Sequence, residues 1–415
     1  MADLLNVDEA IARIVGDIVQ LETETVHLTD TLNRVLAEDI VSEIDLPPFD
    51  NSAMDGFAVR AVDLSGAGAE SPVRLDVVMD IPAGYTPEGT LGAGQAARIM
   101  TGAPMPDGAD AVIPVEDTDA DFSDLDNSTV PEVVQLYKAV GTGAAVRKLG
   151  ENIHAGQTIL KAGTVIRAAQ IGLLASLGQV DVPVVRQPRV SIVGSGDELV
   201  DIDAPLTPGT IRDSNSYALA ALVAQDGGVP LRQPIAKDTP DAIRAMFKDA
   251  LDASPDLIVS SAGVSVGAAD YVRDILDEIG DIGFWRINLR PGKPLAYGSL
   301  EDVPFFGLPG NPVSAMVTYM VLVRPALLKL AGRSAEGSEV MAKVGEPMHS
   351  DGRRTFARVT LKKDGDDWVA TTTGTQSSGA HLSMALADGL LVIPEGNAEI
   401  PVGTRLPVKL LRPIG

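Results

Sequence analysis

The sequence predicts a multidomain chain of α/β plus β class. Three observations carry this. The length of 415 residues exceeds what one ordinary core accommodates. Between Arg189 and Ala315, apolar runs, Gly-rich loops and helical patterns follow one another at short spacing, the signature of a doubly wound α/β domain with a parallel sheet. Residues 60–144, and again 337–415, carry short alternating runs between Pro/Gly turns, as β-domains do.

In chain order, Asn6 and Glu9 form a capping box ahead of a helix whose apolar face is Ile11, Ile14, Val15, Ile18 and Val19. The segment from Leu28 to Ile40 continues as a second helix-like piece. Two prolines, Pro47 and Pro48, force extension before Asp55-Gly56, where a turn leads into a strand. The runs VRLDVVM and AARIM are strands, the second ending at Thr101 in a Gly/Pro loop. Glu116 to Asp126 reads as a solvated acidic loop, and AAQIGLLASLG as a helix.

The α/β pattern opens at Arg189–Val193, and its first loop carries Glu198. A helix ends at Gly227-Gly228, a strand runs to the loop holding Asp238, and Leu257–Val259 leads to the loop holding Asp270. In a parallel sheet these three acids fall at the same carboxyl edge, where ligands of such folds bind. A further extended run ends at Arg290-Pro291-Gly292-Lys293-Pro294, and another at Leu308-Pro309-Gly310-Asn311-Pro312. After Gly332-Arg333-Ser334 comes a small β-barrel or sandwich that contributes Arg358 and the polar loop Thr375–Gly379.

Composition narrows the chemistry. Acids outnumber bases 57 to 33, for a formal charge of −24, so neither nucleic acid nor an anionic membrane is an expected partner. There is no cysteine, which excludes thiolate catalysis, Cys-ligated metals and disulfides. The four histidines are scattered, so a metal would be a hard one held by oxygen. The N-terminus has no signal-like segment and no apolar run reaches the ~18 residues needed to span a bilayer, so a cytoplasmic location is expected. Acids together with Arg290, Lys293, Arg358 and Ser378 suit Mg²⁺-assisted phosphoryl or phosphoanhydride chemistry on an oxyanion. One competing motif is Gly263-Val264-Ser265-Val266-Gly267, which matches the G-x-S-x-G nucleophile elbow. Its loop runs on to Asp270 instead of turning straight into a helix, and its only candidate histidine, His381, lies in the β-rich C-terminal part.

The motifs PPFDNSAMDGFAVR, RIMTGAPMPDGADAVIPVED, GENIHAG, SIVGSGDELV, SSAGVSVGAADYV, RPGKPLAYG and GLPGNPVSA occur in that order across nearly the whole chain. Together they resemble the molybdopterin molybdenumtransferases, the MoeA and gephyrin E-domain family. The resemblance implies four domains: a discontinuous helical–β connector (1–54 and 145–185), an inserted β-domain (55–144), a molybdopterin-binding α/β domain (186–331) and a C-terminal β-barrel (332–415). It implies Mg²⁺-dependent insertion of molybdate into adenylylated molybdopterin with release of AMP. It also implies an elongated homodimer, with contacts to a molybdopterin adenylyltransferase and to molybdoenzyme targets.

Carried over by motif, Asp55, Thr101, Asp238 and Asp270 are catalytic, with Asp55 and Thr101 lining the cleft. Glu198, Asp238 and Asp270 handle the metal and the pterin or phosphate end, and Ser265 joins the substrate-binding set. Arg290, Lys293, Pro294, Arg358 and Ser378 form the molybdate pocket. The chain departs from the family pattern at Arg290 and Arg286, where Lys is usual, and at Asn152, where Asp is common. A tungstate-inserting homologue and a non-catalytic pterin-binding scaffold are the alternatives.

Overall fold

The computed structural model describes residues 4–121, 130–261, 270–334 and 337–414. The chain forms two compact units, one of Met1–Glu38, Gly163–Gly172 and Val180–Gly415, the other of Asp39–Ala162 and Leu173–Gln179.

The second unit is built on a five-stranded sheet in the order Ala111–Pro114, Gly56–Val59, Gln95–Ile99, Val73–Ile81, Val133–Leu136. Strand Gly56–Val59 is buried along its whole length, pairing antiparallel on both sides. Gly56 is obligatory, because a Cβ there would lie 2.0 Å from the Ile113 carbonyl oxygen. Phe57, Val59 and Ile113 fill one face, and Ala58, Ala97 and Val112 the other.

In the first unit, Asn6 caps the helix Val7–Asp17 as its sequence implies, its side chain accepting from the N–H groups of Asp8 and Glu9. Ile14 and Ile18 are buried, but Val19 is 77% exposed, because the helix stops at Asp17 and Ile18 already adopts an extended backbone. The helical continuation expected over Leu28–Ile40 does not form. After a single 3₁₀ turn at Leu28–Asp30 the chain turns again at Leu32–Asn33, with Asn33 at φ 64°, and then bridges Val35 and Leu36 to Val165 and Val184. Tertiary pairing overrides a local helical pattern there.

The α/β sheet has six strands, in the order Val229–Arg232, Arg189–Val193, Leu257–Ser260, Val303–Gly307, Pro294–Leu300, Gly280–Arg286. The first four are parallel. The last two are antiparallel, so the expected all-parallel sheet is corrected to a mixed one. The reason is the connection between Arg286 and Pro294, which returns the chain as a hairpin too short to hold a crossover helix. Thr239 caps the helix Pro240–Asp252, with Pro240 in its first turn. Pro312–Leu330 is a continuous helical run of 19 residues, interrupted by a π-helical segment at Tyr319–Val323. It is long and apolar enough to cross a membrane, contrary to the expectation that no such run exists, and it lies mostly buried in the core of this unit.

Strands Arg354–Asp364, Asp367–Thr372, Glu339–Val344, Arg405–Leu410 and Gly389–Ile393 close into a five-stranded barrel, since the last pairs back with the first. This settles the choice between barrel and sandwich. Val344, Val359, Ala370, Leu391 and Val408 are among the residues filling its core.

Candidate functional site

The RPGKP segment is fixed from several sides. Ile287 N–H donates to the Lys293 carbonyl at 2.7 Å, closing the loop on itself. Leu289 and Arg290 pair in parallel with Arg354 and Thr355 of the barrel, and Asn288 N–H reaches the Leu5 carbonyl at 2.8 Å. Gly292 sits at φ +110°, and a Cβ on it would lie 2.2 Å from Thr318 Oγ1. The loop therefore presents Arg290 to the barrel strand that carries Arg358.

Between them lies a cavity of about 310 Å³ lined by Arg290, Arg358, Glu346, Gln376 and Thr372, with Met348, Phe356 and Ile393 supplying apolar surface. Arg358 is 1% exposed. Among the described residues it has no carboxylate partner. Its Nε donates to Ser383 Oγ at 3.1 Å, and its Nη2 to the carbonyls of Thr375 and Ser377 at 3.2 and 2.9 Å. Burial, and then the positive charge of Arg290, push the guanidinium below its ordinary pKa. It nevertheless stays charged at neutral pH. Arg290 is more open, and its Nη1 lies 3.9 Å from Asp351 Oδ2. The Arg353 side chain holds Asp351 below the usual carboxylate range. Two cations in one cavity, the deeper of them unpaired, make a site for an anion.

Of the other residues assigned to this pocket, Ser378 follows directly on Ser377 and accepts from Val313 N–H at 3.0 Å through its backbone carbonyl. Lys293 is exposed and has no ion-pair partner among the described residues, and Pro294 opens the strand Pro294–Leu300. None of these three lines the cavity that holds Arg290 and Arg358.

Two of the three acids expected at the carboxyl edge of the sheet, Glu198 and Asp238, follow the neighbouring strands Arg189–Val193 and Val229–Arg232. Asp238 Oδ2 accepts from Asp197 N–H at 3.3 Å, and Asp197 Oδ1 from Asp238 N–H at 3.4 Å, so the loops after two neighbouring strands are tied together. Glu198 is the next residue along and is exposed. Asp270 begins the helix Asp270–Ile279; its side chain, and the Gly263–Gly267 motif with Ser265, lie outside the described residues. Among the described residues no cluster of three metal-ligating side chains is present. An all-oxygen set with one or two carboxylates still suits Mg²⁺, which keeps several waters and takes its remaining oxygens from a phosphate substrate. His381 Nε2 bonds Ser214 Oγ at 3.1 Å.

In the other unit, Asp55 Oδ1 accepts from Thr101 N–H at 2.6 Å and from Thr101 Oγ1 at 2.7 Å. The two residues, 46 positions apart, form one exposed polar pair.

With this geometry in place, family models match three successive stretches. Residues 5–178 match the MoeA N-terminal region (domains I and II), 191–329 a probable molybdopterin binding domain, and 341–411 the MoeA C-terminal region (domain IV). The chain belongs to the MoeA family. It is 42% identical to the molybdopterin molybdenumtransferase of Nostoc sp. over 392 residues, covering 92% of this chain and 88% of the relative. It is 36% identical to that of Bacillus subtilis, covering 98% and 94%. Two solved MoeA structures from Pyrococcus horikoshii superpose with TM-scores of 0.81 and 0.80, at 34% and 28% identity, over 99% and 98% of this chain and the whole of each of those chains.

Within the MoeA framework, three residues in or beside this cavity were not singled out in the sequence. Glu346 lines the cavity, with its carboxylate accepting from Thr372 N–H at 2.7 Å and from the Thr372 hydroxyl. Gln376 brackets Arg358, accepting from its N–H at 2.9 Å and donating to its carbonyl at 3.1 Å. Ser383, on the short helix His381–Ala385, meets the Arg358 guanidinium. The one legible signal was Arg358 itself, a charge inside the otherwise apolar or hydroxylic run TFARVTL.

Proposed function

We propose that this chain, a transferase of molybdenum-cofactor biosynthesis by its family, inserts molybdate into adenylylated molybdopterin and releases AMP. The observation that carries the reading is Arg358, buried without a carboxylate beside Arg290 in a cavity with room for a tetrahedral oxyanion. Arg358 and Arg290 neutralise the bound dianion; Lys293, Pro294 and Ser378, which lie on adjoining loops outside the cavity lining, are assigned to the same site by their motifs. Glu198, Asp238 and Asp270 would hold Mg²⁺, which when bound would supply charge neutralisation on the phosphoanhydride. Ser265 contributes to substrate binding, and Asp55 and Thr101 belong to the catalytic set. The protein acts as a homodimer and exchanges substrate and product with an adenylyltransferase and with molybdoenzymes.

The test is AMP release from adenylylated molybdopterin, with and without molybdate and Mg²⁺. Release that requires both, with molybdenum retained on the pterin, supports the reading. Release that ignores molybdate leaves a phosphoanhydride hydrolase and removes the role given to Arg290 and Arg358. Asp270→Ala and Lys293→Ala are expected to fold normally and to lose metal insertion; normal turnover by both would sink these assignments.

A further inference from the structure

A buried arginine is ordinarily matched by a carboxylate, because an unpaired charge in a protein interior costs several kcal/mol. Among the described residues, every acceptor around the Arg358 guanidinium is neutral instead. Nη2 is held by the two backbone carbonyls of Thr375 and Ser377. Nε is held by the hydroxyl of Ser383, itself 3% exposed. Ser383 Oγ lies 2.8 Å from Thr373 Oγ1, and Thr373 Oγ1 donates to the Arg358 carbonyl at 3.4 Å. One placement of the protons satisfies all of these contacts: Ser383 Oγ accepts from Nε, which cannot accept, and gives its own proton to Thr373 Oγ1, whose proton goes to the Arg358 carbonyl. The ring returns to the residue it started from without a negative charge.

Nη1 is left without a partner among the described residues, in a side chain that lines the cavity. The backbone of Arg358 is clamped separately by Gln376, on both its N–H and its carbonyl. Orientation and charge are thus handled by different groups. Hydroxyls, carbonyls and an amide fix where the guanidinium sits, and none of them consumes its charge.

We propose that Ser383 is a positioning residue of the oxyanion site, orienting Arg358 through a neutral acceptor so that the guanidinium's charge is left for the bound anion. This rests on the reading of Arg358 as an oxyanion group and adds a requirement to it. A carboxylate at position 383 would satisfy Nε equally well, build an internal ion pair, and quench the site. The identity that matters at 383 is therefore a neutral oxygen, not hydrogen bonding as such.

The experiment compares Ser383→Asp with Ser383→Asn, which match in size and differ in charge. Molybdate binding is measured by equilibrium dialysis on the full chain, alongside thermal unfolding. Ser383→Asp is expected to bind molybdate at least about tenfold more weakly than Ser383→Asn while melting at the same or a higher temperature. Equal affinity in the two variants overturns the inference, because size and packing would then explain any loss. Wild type and Arg358→Met are measured in parallel. If those two bind molybdate equally, the oxyanion reading itself falls. If Arg358→Met loses binding while the Asp and Asn variants agree, only the role of Ser383 falls. Should both Ser383 variants fail to fold by circular dichroism, Thr373→Asp and Thr373→Asn, at a half-buried position in the same ring, decide by the same criterion.

Discussion

Arg98 and Arg358 are both buried arginines on β-strands, one in each unit, and they are treated in opposite ways. Arg98 meets Asp80 fork to fork, with Nε to Oδ1 at 2.7 Å and Nη2 to Oδ2 at 2.8 Å. The Asp80 carboxylate holds the Arg98 guanidinium above its ordinary pKa. Arg358 has hydroxyls and carbonyls in place of a carboxylate, and burial pushes it the other way. Burial of a charge therefore does not separate a structural arginine from a ligand-binding one. On the proposed reading the counter-charge does: Arg98 has one, and among the described residues Arg358 has none, which leaves its charge for a bound anion.

The sharpest way to break this comparison is to remove both charges. Arg358→Met is expected to weaken molybdate binding by at least about a hundredfold, and to leave stability unchanged or raise it by about 1–2 kcal/mol, since replacing an unpaired buried charge with an apolar side chain relieves a desolvation penalty. Arg98→Met is expected to leave molybdate binding alone and to lower stability by roughly 2 kcal/mol, below the fully buried case because Asp80 is about a third exposed. Urea unfolding and molybdate binding on the same preparations give all four numbers. Matching profiles for the two variants would show that counter-charge is not the deciding variable.

A smaller effect is expected at Arg290. It is more exposed than Arg358, and it lies 3.9 Å from Asp351, a carboxylate already engaged by Arg353. Arg290→Lys keeps the charge. It loses the planar fork, so affinity for molybdate should change by less than about tenfold in either direction. A loss as large as that of Arg358→Met would mean that the fork of Arg290, and not the buried charge, carries recognition.

Much of this architecture was legible because it rests on local rules. The Asn6 cap, the insert rich in strands and the loops after parallel strands each follow from a few adjacent residues. The failures share a cause, which is strand pairing that the local residue pattern does not announce. Leu28–Ile40 reads as a helix until Val35 and Leu36 find Val165 and Val184. The strands Gly280–Arg286 and Pro294–Leu300 are apolar enough for a parallel sheet, and only the length of the link between them shows that they must turn back. The site divides in the same way. Arg358 stood out as a charge in an apolar strand, whereas Ser383, Gln376 and Glu346 are ordinary surface-type residues until closure of the barrel brings them to it.

Glu346 offers the finest test, because among the described residues it is the one acid lining the cavity and it is engaged by Thr372 instead of by either arginine. The Thr372 hydroxyl, followed by the Thr372 N–H, holds its carboxyl below the usual glutamate value, so it is ionised throughout the neutral range. An ionised carboxylate in an oxyanion cavity opposes the ligand. Glu346→Gln is therefore expected to tighten molybdate binding by about two- to fivefold at neutral pH. The sign of the accompanying stability change follows from linkage. A carboxyl whose folded pKa lies below its unfolded value contributes stability that is fully present above the unfolded value, about 4.5, and is lost as pH falls through the folded one. The melting temperature of wild type should thus exceed that of Glu346→Gln at pH 7, and the gap should close only below about pH 4.5. An affinity gain at pH 7 together with a stability gap confined to the neutral side would identify Glu346 as an acid held away from Arg358 by its threonine. A loss of affinity in Glu346→Gln would mean that the carboxylate orients the arginines after all, and the contrast between Arg98 and Arg358 would have to be redrawn.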